Sequence, residues 1–254
     1  MVRGLDTFKE FFRGYEGNYI LIGGTASTLV MEDVGLQFRA TADLDIVLCV
    51  ESLTPAFVTK FWDFVQAGNY QNRQKSTGER QFYRFYSPED HAYPEMLELF
   101  SRQPDALEFD GHGHLTPIPM GDEASSLSAI LLDDAYYEFL HAGKQDMGGL
   151  SIIGPEYIIP LKARAWLDLT ARREQGDRVD SRDIRKHKND VFRLFQVISP
   201  DTRVEMATGV KEDMAKFLMA MEAEDIDLRN LRIRGITVEE ILGTLREIYS
   251  ITGD

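Results

Sequence analysis

Asp43, Asp45, Gly23 and Gly24 have the residue types and spacings best able to do chemistry in this chain. Asp43-Leu44-Asp45 leads into an apolar run, Ile46-Val47-Leu48-Cys49-Val50, which reads as a buried strand. Along a strand, residues two apart point to one face, about 6.5 Å apart. The two carboxylates therefore project together, while Leu44 turns into the core. Carboxylates side by side repel unless cations lie between them. A pair of divalent metals about 4 Å apart, clamping a phosphate chain, is the usual reason for such an arrangement. Gly23-Gly24 ends another apolar stretch, Tyr19-Ile20-Leu21-Ile22. With no Cβ in the way, the backbone there can take positive φ and a ligand can come close. Thr25 then reads as the cap of a helix over residues 26–33. The first N–H groups of that helix would face whatever sits over the glycines, an anion site by geometry.

Taken singly, each half has an ordinary explanation. A Gly-Gly pair is most often a turn. Asp-x-Asp at a strand start is most often a solvated strand end or a helix-capping loop. The residues downstream exclude several better-known motifs. No glycine and distal glutamate come after the aspartates at EF-hand spacing. No Gly-Lys-Ser/Thr comes after Gly23-Gly24-Thr25, so it is not a P-loop. The third glycine of a dinucleotide fingerprint is missing.

The elements that must position these residues can be read in order. Leu5, Phe8, Phe11 and Phe12 fall at helical spacing and predict a short amphipathic helix packed on a sheet. Tyr19 to Ile22 is the strand before the glycines. Thr54 and Pro55 cap and open a helix over 56–67, whose aromatic face (Phe57, Phe61, Trp62, Phe64) belongs to the core. Residues 72–79 are polar and predict a loop; residues 81–86 and 96–100 predict strands. In the second of these, Glu98 interrupts an apolar run, which is costly unless it is paired or bound to a metal. The other reading puts Glu98 on an exposed sheet face. Asp110-Gly111-His112-Gly113-His114 predicts a hairpin tip. Its two histidines have no third ligand nearby and make a poor metal site. A strand over 126–131, a helix over 134–144 and a short strand over 150–153 complete this half.

From Gly154 the hydrophobic period changes from two to 3.6. A helix over 156–174 presents Ile158, Leu161, Ala165 and Leu169 on its apolar side, with Ile159 and Trp166 beside them. Asp180 or Ser181 caps a helix over 183–198. Helices over 203–224 and 237–251 come next, the last with Thr237 and Glu240 at capping-box spacing. Lys162 and Arg164 sit among the apolar residues of the first helix. A buried ammonium needs an anionic partner; snorkelling at the helix edge is the alternative. Arg172, Arg173, Arg178, Arg182, Arg185, Lys186, Lys188 and Arg193 concentrate positive charge. The interleaved Asp180, Asp183 and Asp190 allow helix ion pairs. The other reading is a rim that guides a nucleotide or an RNA backbone.

A glycine pair ending one strand, a helix, then Asp-x-Asp on the next strand resembles nucleotidyltransferases of the polymerase-β type. The run Arg39-Ala40-Thr41-Ala42-Asp43-Leu44-Asp45 is most similar to the AbiEii/AbiGii toxin-like branch, where a glycine-rich turn precedes Arg-x-Thr-x-Asp-x-Asp. The close match covers the first hundred or so residues, with a looser one through Lys162. The resemblance implies an α+β fold: a mixed sheet flanked by helices over 1–154, then a helical domain over 155–254 packed against it. It implies that Asp43 and Asp45 hold Mg²⁺ (or Mn²⁺), with Glu98 as a third acid on a neighbouring strand. Glu95 takes that place if the register shifts. Gly23, Gly24, Thr25, Arg39 and Thr41 would bind the nucleotide. Lys162, in a Leu-Lys-Ala-x-Ala setting, would contact the phosphates.

Composition narrows the partners. The net charge is −14, which argues against non-specific duplex binding, a process that neutralises many phosphates. No run approaches the roughly eighteen apolar residues of a membrane span. The N-terminal residues carry no apolar signal region. The single cysteine, Cys49, lies in the strand after the acid pair and reads as a small buried hydrophobe, which makes a cytoplasmic location the default. Two functions fit these observations. One is an enzyme that moves a nucleoside monophosphate from a nucleoside triphosphate to a hydroxyl on RNA, protein or a small molecule, releasing pyrophosphate. The other is an inactive descendant that binds a protein partner in a toxin–antitoxin or regulatory complex.

Overall fold

The structure is a computed structural model that describes residues 2–74, 80–102, 115–117 and 128–251. The chain is α+β, with a mixed sheet and helices up to Ile153 and helices after it. It divides into two compact units: residues 1–29 with 39–153, and residues 30–38 with 154–254.

In the first unit the elements run α1 (Leu5–Phe11), β1 (Tyr19–Ile22), the start of α2 (Gly23–Asp33), β2 (Asp43–Leu48), α3 (Pro55–Ala67), β3 (Gln71–Gln74), β4 (Arg80–Tyr86) and β5 (Met96–Arg102). After these come β6 (Leu115–Pro117), β7 (Ser128–Leu132), α4 (Asp134–Ala142), β8 (Lys144–Asp146) and β9 (Ser151–Ile153). The strand order is β3-β4-β5-β2-β1-β9-β8, with β7 added beside β5 and β6 beside β7. β2 runs parallel to β5 and antiparallel to β1, so the sheet is mixed.

Alternation fixes the register of the central strands. Leu44, Ile46, Leu97, Leu99 and Phe85 are buried on one face. Rings of Phe61 and Trp62 from α3 lie against Phe85 there, and Phe8 and Phe12 from the α1 end of the chain join Tyr19, Phe57 and Phe64 in one aromatic cluster. The intervening residues Asp43, Asp45, Met96 and Glu98 are half-buried on the opposite face. α3 begins as its sequence implies: Pro55 is the first helical residue and the Thr54 hydroxyl accepts from Phe57 N–H at 3.2 Å.

Three local expectations are corrected. α2 starts at Gly23, and Thr25 lies inside its first turn rather than capping it. The Thr25 hydroxyl, on a fully buried residue, donates to the Asp43 carbonyl at 2.8 Å and so ties the helix to β2. Part of the expected loop over 72–79 is strand: β3 pairs with β4, with a bulge between Asn72 and Gln74. An edge strand can be polar, because the ladder is made by the backbone and one side is free of a neighbour. The helix expected from residue 203 starts at Thr208, because Val204 is buried in extended chain and its N–H donates to the Ile248 carbonyl at 2.9 Å. The Asp110–His114 tip lies outside the described residues.

The second unit contains α5 (Pro155–Glu174), α6 (Ser181–Phe195), α7 (Thr208–Met221) and α8 (Val238–Ile248). Asp180 caps α6 by accepting from Arg182 N–H at 2.8 Å, and Thr237 and Glu240 form a capping box on α8. The buried stripe of α5 is Ile159, Lys162, Ala163 and Trp166, with Ile158 and Pro160, so Leu161, Ala165 and Leu169 are only half-buried. Among the described residues no helix is long and apolar enough to cross a membrane.

Candidate functional site

The site is built where β1 stops and β2 starts. Ile22, the last residue of β1, pairs with Asp45 on β2; Asp45 pairs with Glu98 on β5; Glu98 pairs with Arg84 on β4. One row across four strands therefore carries Asp45, Glu98 and Arg84, with neighbouring strands about 4.8 Å apart. Asp43 stands one row away on the same face, opposite Met96. This register selects Glu98 over Glu95 as the neighbour of the acid pair; the Glu95 carboxylate is ion-paired with Arg3.

The glycine turn converges on the same acids. Gly23 has φ +63°, in the left-handed region, and a Cβ placed on it would lie 1.8 Å from Asp45 Oδ2. Only glycine fits there, for its backbone and for the carboxylate above it. A Cβ on Gly24 would meet Thr41 Oγ1 at 2.6 Å, with an Arg39 guanidinium nitrogen at 3.5 Å. The Asp45 carboxylate thus stands over the first glycine, and Thr41 and Arg39 stand over the second. Buried Ser27 and Thr28 hold the turn from below, donating to the carbonyls of Gly23 (2.6 Å) and Gly24 (2.9 Å). The structure brings together Gly23, Gly24, Thr25, Arg39, Thr41, Asp43, Asp45 and Glu98, all within the first unit.

Arg84 is the member the sequence reading missed. Its guanidinium donates to Glu98 Oε1 at 2.5 Å, and Asp43 also acts on its charge. Burial works against that charge, yet the Glu98 hydrogen bond and the nearby acids outweigh it and hold Arg84 above the ordinary guanidinium range. Among the described residues, no group of three or more His, Cys, Asp or Glu side chains is gathered as a metal centre. Two half-exposed carboxylates on one strand face are still a fit for Mg²⁺, which takes one or two protein carboxylates and completes its shell with waters and substrate phosphates.

Lys162 belongs to the second unit. It is buried, and its ammonium lies 3.3 Å from Asp190 Oδ2; Asp190 is fully buried and also pairs with Arg193 at 3.3 Å. The anion that a buried lysine requires is supplied here by α6. In the basic stretch Arg172 pairs with Asp168 and Asp177, Lys186 with Asp183, and Lys188 with Glu224. Arg173, Arg178, Arg182 and Arg185 are exposed.

A cavity of about 280 Å³ lies at the other end of β2, lined by Cys49, Glu51, Arg102, Tyr137, His141 and Lys144 among others. It includes neither acid of the pair and neither glycine of the turn. Burial raises the Cys49 thiol pKa, so this cysteine is not poised as a nucleophile. Burial, above all, lowers the His141 pKa; Glu51 opposes this, and Lys144 and Arg102 add to it. The His141 Nε2 atom is buried without a hydrogen-bond partner. A histidine whose folded pKa is depressed contributes its full stability above the unfolded value of about 6.5 and loses it as pH falls through the folded value. The melting temperature should therefore drop between pH 7 and pH 5, and His141→Gln should flatten that slope. Thermal melts at fixed ionic strength check this; parallel slopes would contradict it.

No protein-family model and no curated protein sequence matches the chain. Among solved structures the chain is similar to the Megavirus polyadenylate synthase, with a TM-score of 0.37 and 10% identity over 87% of this chain and 36% of that one.

Proposed function

We propose that this protein is a nucleotidyltransferase of the polymerase-β type, similar to the AbiEii/AbiGii-like branch. It would move a nucleoside monophosphate from a nucleoside triphosphate to an acceptor hydroxyl. The observation that carries the reading is the convergence of the Gly23-Gly24 turn with the Asp43/Asp45 pair, since the place of a Gly23 Cβ falls 1.8 Å from an Asp45 oxygen. A turn that must lack side chains, set against two carboxylates on one strand face, suits a phosphate chain that arrives with divalent cations.

In this reading Asp43 and Asp45 hold Mg²⁺ or Mn²⁺, which when bound supplies positive charge against the phosphates. Gly23 and Gly24 leave room for the Asp45 carboxylate and the Thr41 hydroxyl over the turn, where Thr41 and Arg39 would donate to the phosphate oxygens. Thr25 acts from beneath, fixing the start of β2 through its bond to the Asp43 carbonyl. The acceptor oxygen attacks the α-phosphorus in line, the bond to the bridging oxygen breaks, and pyrophosphate leaves. Glu98 would orient the attacking hydroxyl and accept its proton. Lys162 as a phosphate contact rests on the resemblance alone. The same unit in an inactive descendant, serving as a protein-binding partner, is favoured by one observation: Glu98 is engaged by Arg84 and no third carboxylate completes a metal centre among the described residues.

Incubation with α-labelled or γ-labelled triphosphates, Mg²⁺ and a cell extract as acceptor source tests the proposal. Label should pass to an acceptor from the α position only, with release of pyrophosphate. Asp43→Asn should cut the rate by more than the roughly 10–100-fold typical of losing a supporting partner of a metal ligand. Transfer from the γ position, or full activity in Asp43→Asn, would overturn it.

A further inference from the structure

We infer that Arg84 is an internal counter-ion for the third acid, holding Glu98 away from a cation at Asp43 and Asp45 until the phosphates of a ligand take up the guanidinium. The inference rests on the proposed reading of the acid pair as metal ligands.

Four observations carry it. Arg84, Glu98 and Asp45 occupy one row of three adjacent strands, so Glu98 lies between the guanidinium and the acid pair. The Glu98 carboxylate is turned to Arg84 at 2.5 Å, and its side chain is only 13% exposed. Among the described residues the three acids are not gathered around a common point. Finally, the Arg84 fork is half used: one terminal nitrogen serves Glu98, whereas Nε is buried with no hydrogen-bond partner. A guanidinium binds carboxylate or phosphate best through two parallel N–H groups. The Arg84 side chain as a whole is 36% exposed, so a modest turn of the fork would offer this unused donor to a phosphate oxygen in exchange for Glu98.

A purely structural Arg84–Glu98 pair and this one differ in what happens to a metal ion. If Arg84 withholds Glu98, removing the guanidinium adds a third carboxylate to the cation site of the free protein, and affinity rises with ligand charge. The same change removes a donor to the phosphates, so binding of a metal–polyphosphate should weaken. Opposite effects on the two ligands are the signature.

The probes are Mn²⁺ alone, monitored by electron paramagnetic resonance, and Mn²⁺ with inorganic tripolyphosphate, monitored by calorimetry. Arg84→Gln should bind Mn²⁺ alone about tenfold more tightly than wild type and Mn²⁺–tripolyphosphate about tenfold more weakly. The gain should vanish in Arg84→Gln/Glu98→Gln. Equal or weaker Mn²⁺ binding by Arg84→Gln would overturn the inference. Glu98→Gln provides an arm that does not disturb the shape of the site. It should not reproduce the gain in Mn²⁺ affinity of Arg84→Gln, and a gain of equal size there would overturn the inference by showing that the effect comes from breaking the pair and not from a freed third carboxylate. Asp43→Asn separates the two readings: if wild type and Asp43→Asn bind Mn²⁺ equally, the acid pair is not the metal site.

Discussion

Lys162→Ala is expected to destabilise the helical unit by about 3 kcal/mol, the lower end of what breaking a buried ion pair costs. Asp190 is fully buried, and the substitution removes a cation 3.3 Å from its carboxylate. Arg193 still faces Asp190 at 3.3 Å, which keeps the loss from reaching the top of that range. The sign is set by burial, because a buried carboxylate stripped of a counter-charge has no water to replace it. Trp166 lies one turn along α5, packed edge-on against Phe217 at 5.6 Å, and reports on this region. The chain has two tryptophans, so a Trp62→Phe background isolates the Trp166 signal in urea unfolding. Lys162→Ala should lower the midpoint, and adding Asp190→Asn should restore part of the loss. An unchanged midpoint, with weakened nucleotide binding instead, would assign Lys162 to the ligand and not to the core.

Gly23→Ala is expected to have the largest effect on the candidate site itself. The left-handed backbone at φ +63° costs an L-residue about 1–2 kcal/mol. The added methyl would also fall 1.8 Å from Asp45 Oδ2, so the carboxylate must leave its place. A melting temperature lower by a few degrees and loss of metal-dependent nucleotide binding are expected together. Gly24→Ala is the comparison. Its methyl meets the Thr41 hydroxyl at 2.6 Å, a side chain that can rotate, and the residue has an ordinary φ. It should be milder in both readouts. Equal effects at the two positions would contradict the geometry described for the turn.

Much of this arrangement is legible in the sequence because it depends on local rules. Tyr19 to Ile22 reads as a strand from its side chains, Thr54-Pro55 reads as a helix start from its chemistry, and Asp43-Leu44-Asp45 reads as two carboxylates on one face from period two alone. The features that escape such a reading depend on partners distant in sequence. Nothing local marks Arg84 as the neighbour of Glu98; only the β4–β5 register does. Lys162 reads as a residue awaiting a ligand because its partner, Asp190, lies on the next helix. Thr25 reads as a cap because its hydroxyl's real acceptor, the Asp43 carbonyl, comes from another element. The polar Gln71–Gln74 strand carries no hydrophobic alternation, and only its pairing with β4 defines it.

The most direct measurement is a thermal-shift series with ATP, GTP, CTP and UTP, each with and without Mg²⁺, on wild type and Asp43→Asn. A ligand at a hundred times its Kd that binds only the native state stabilises by about 2.7 kcal/mol, which raises the melting temperature by several degrees. The expected result is a Mg²⁺-dependent shift with at least one nucleotide in wild type and none in Asp43→Asn, whose melting temperature without nucleotide stays at the wild-type value. An equal shift in Asp43→Asn, or no shift with any of the four nucleotides, would contradict a nucleotide site built on the Gly23-Gly24 turn and the Asp43/Asp45 pair.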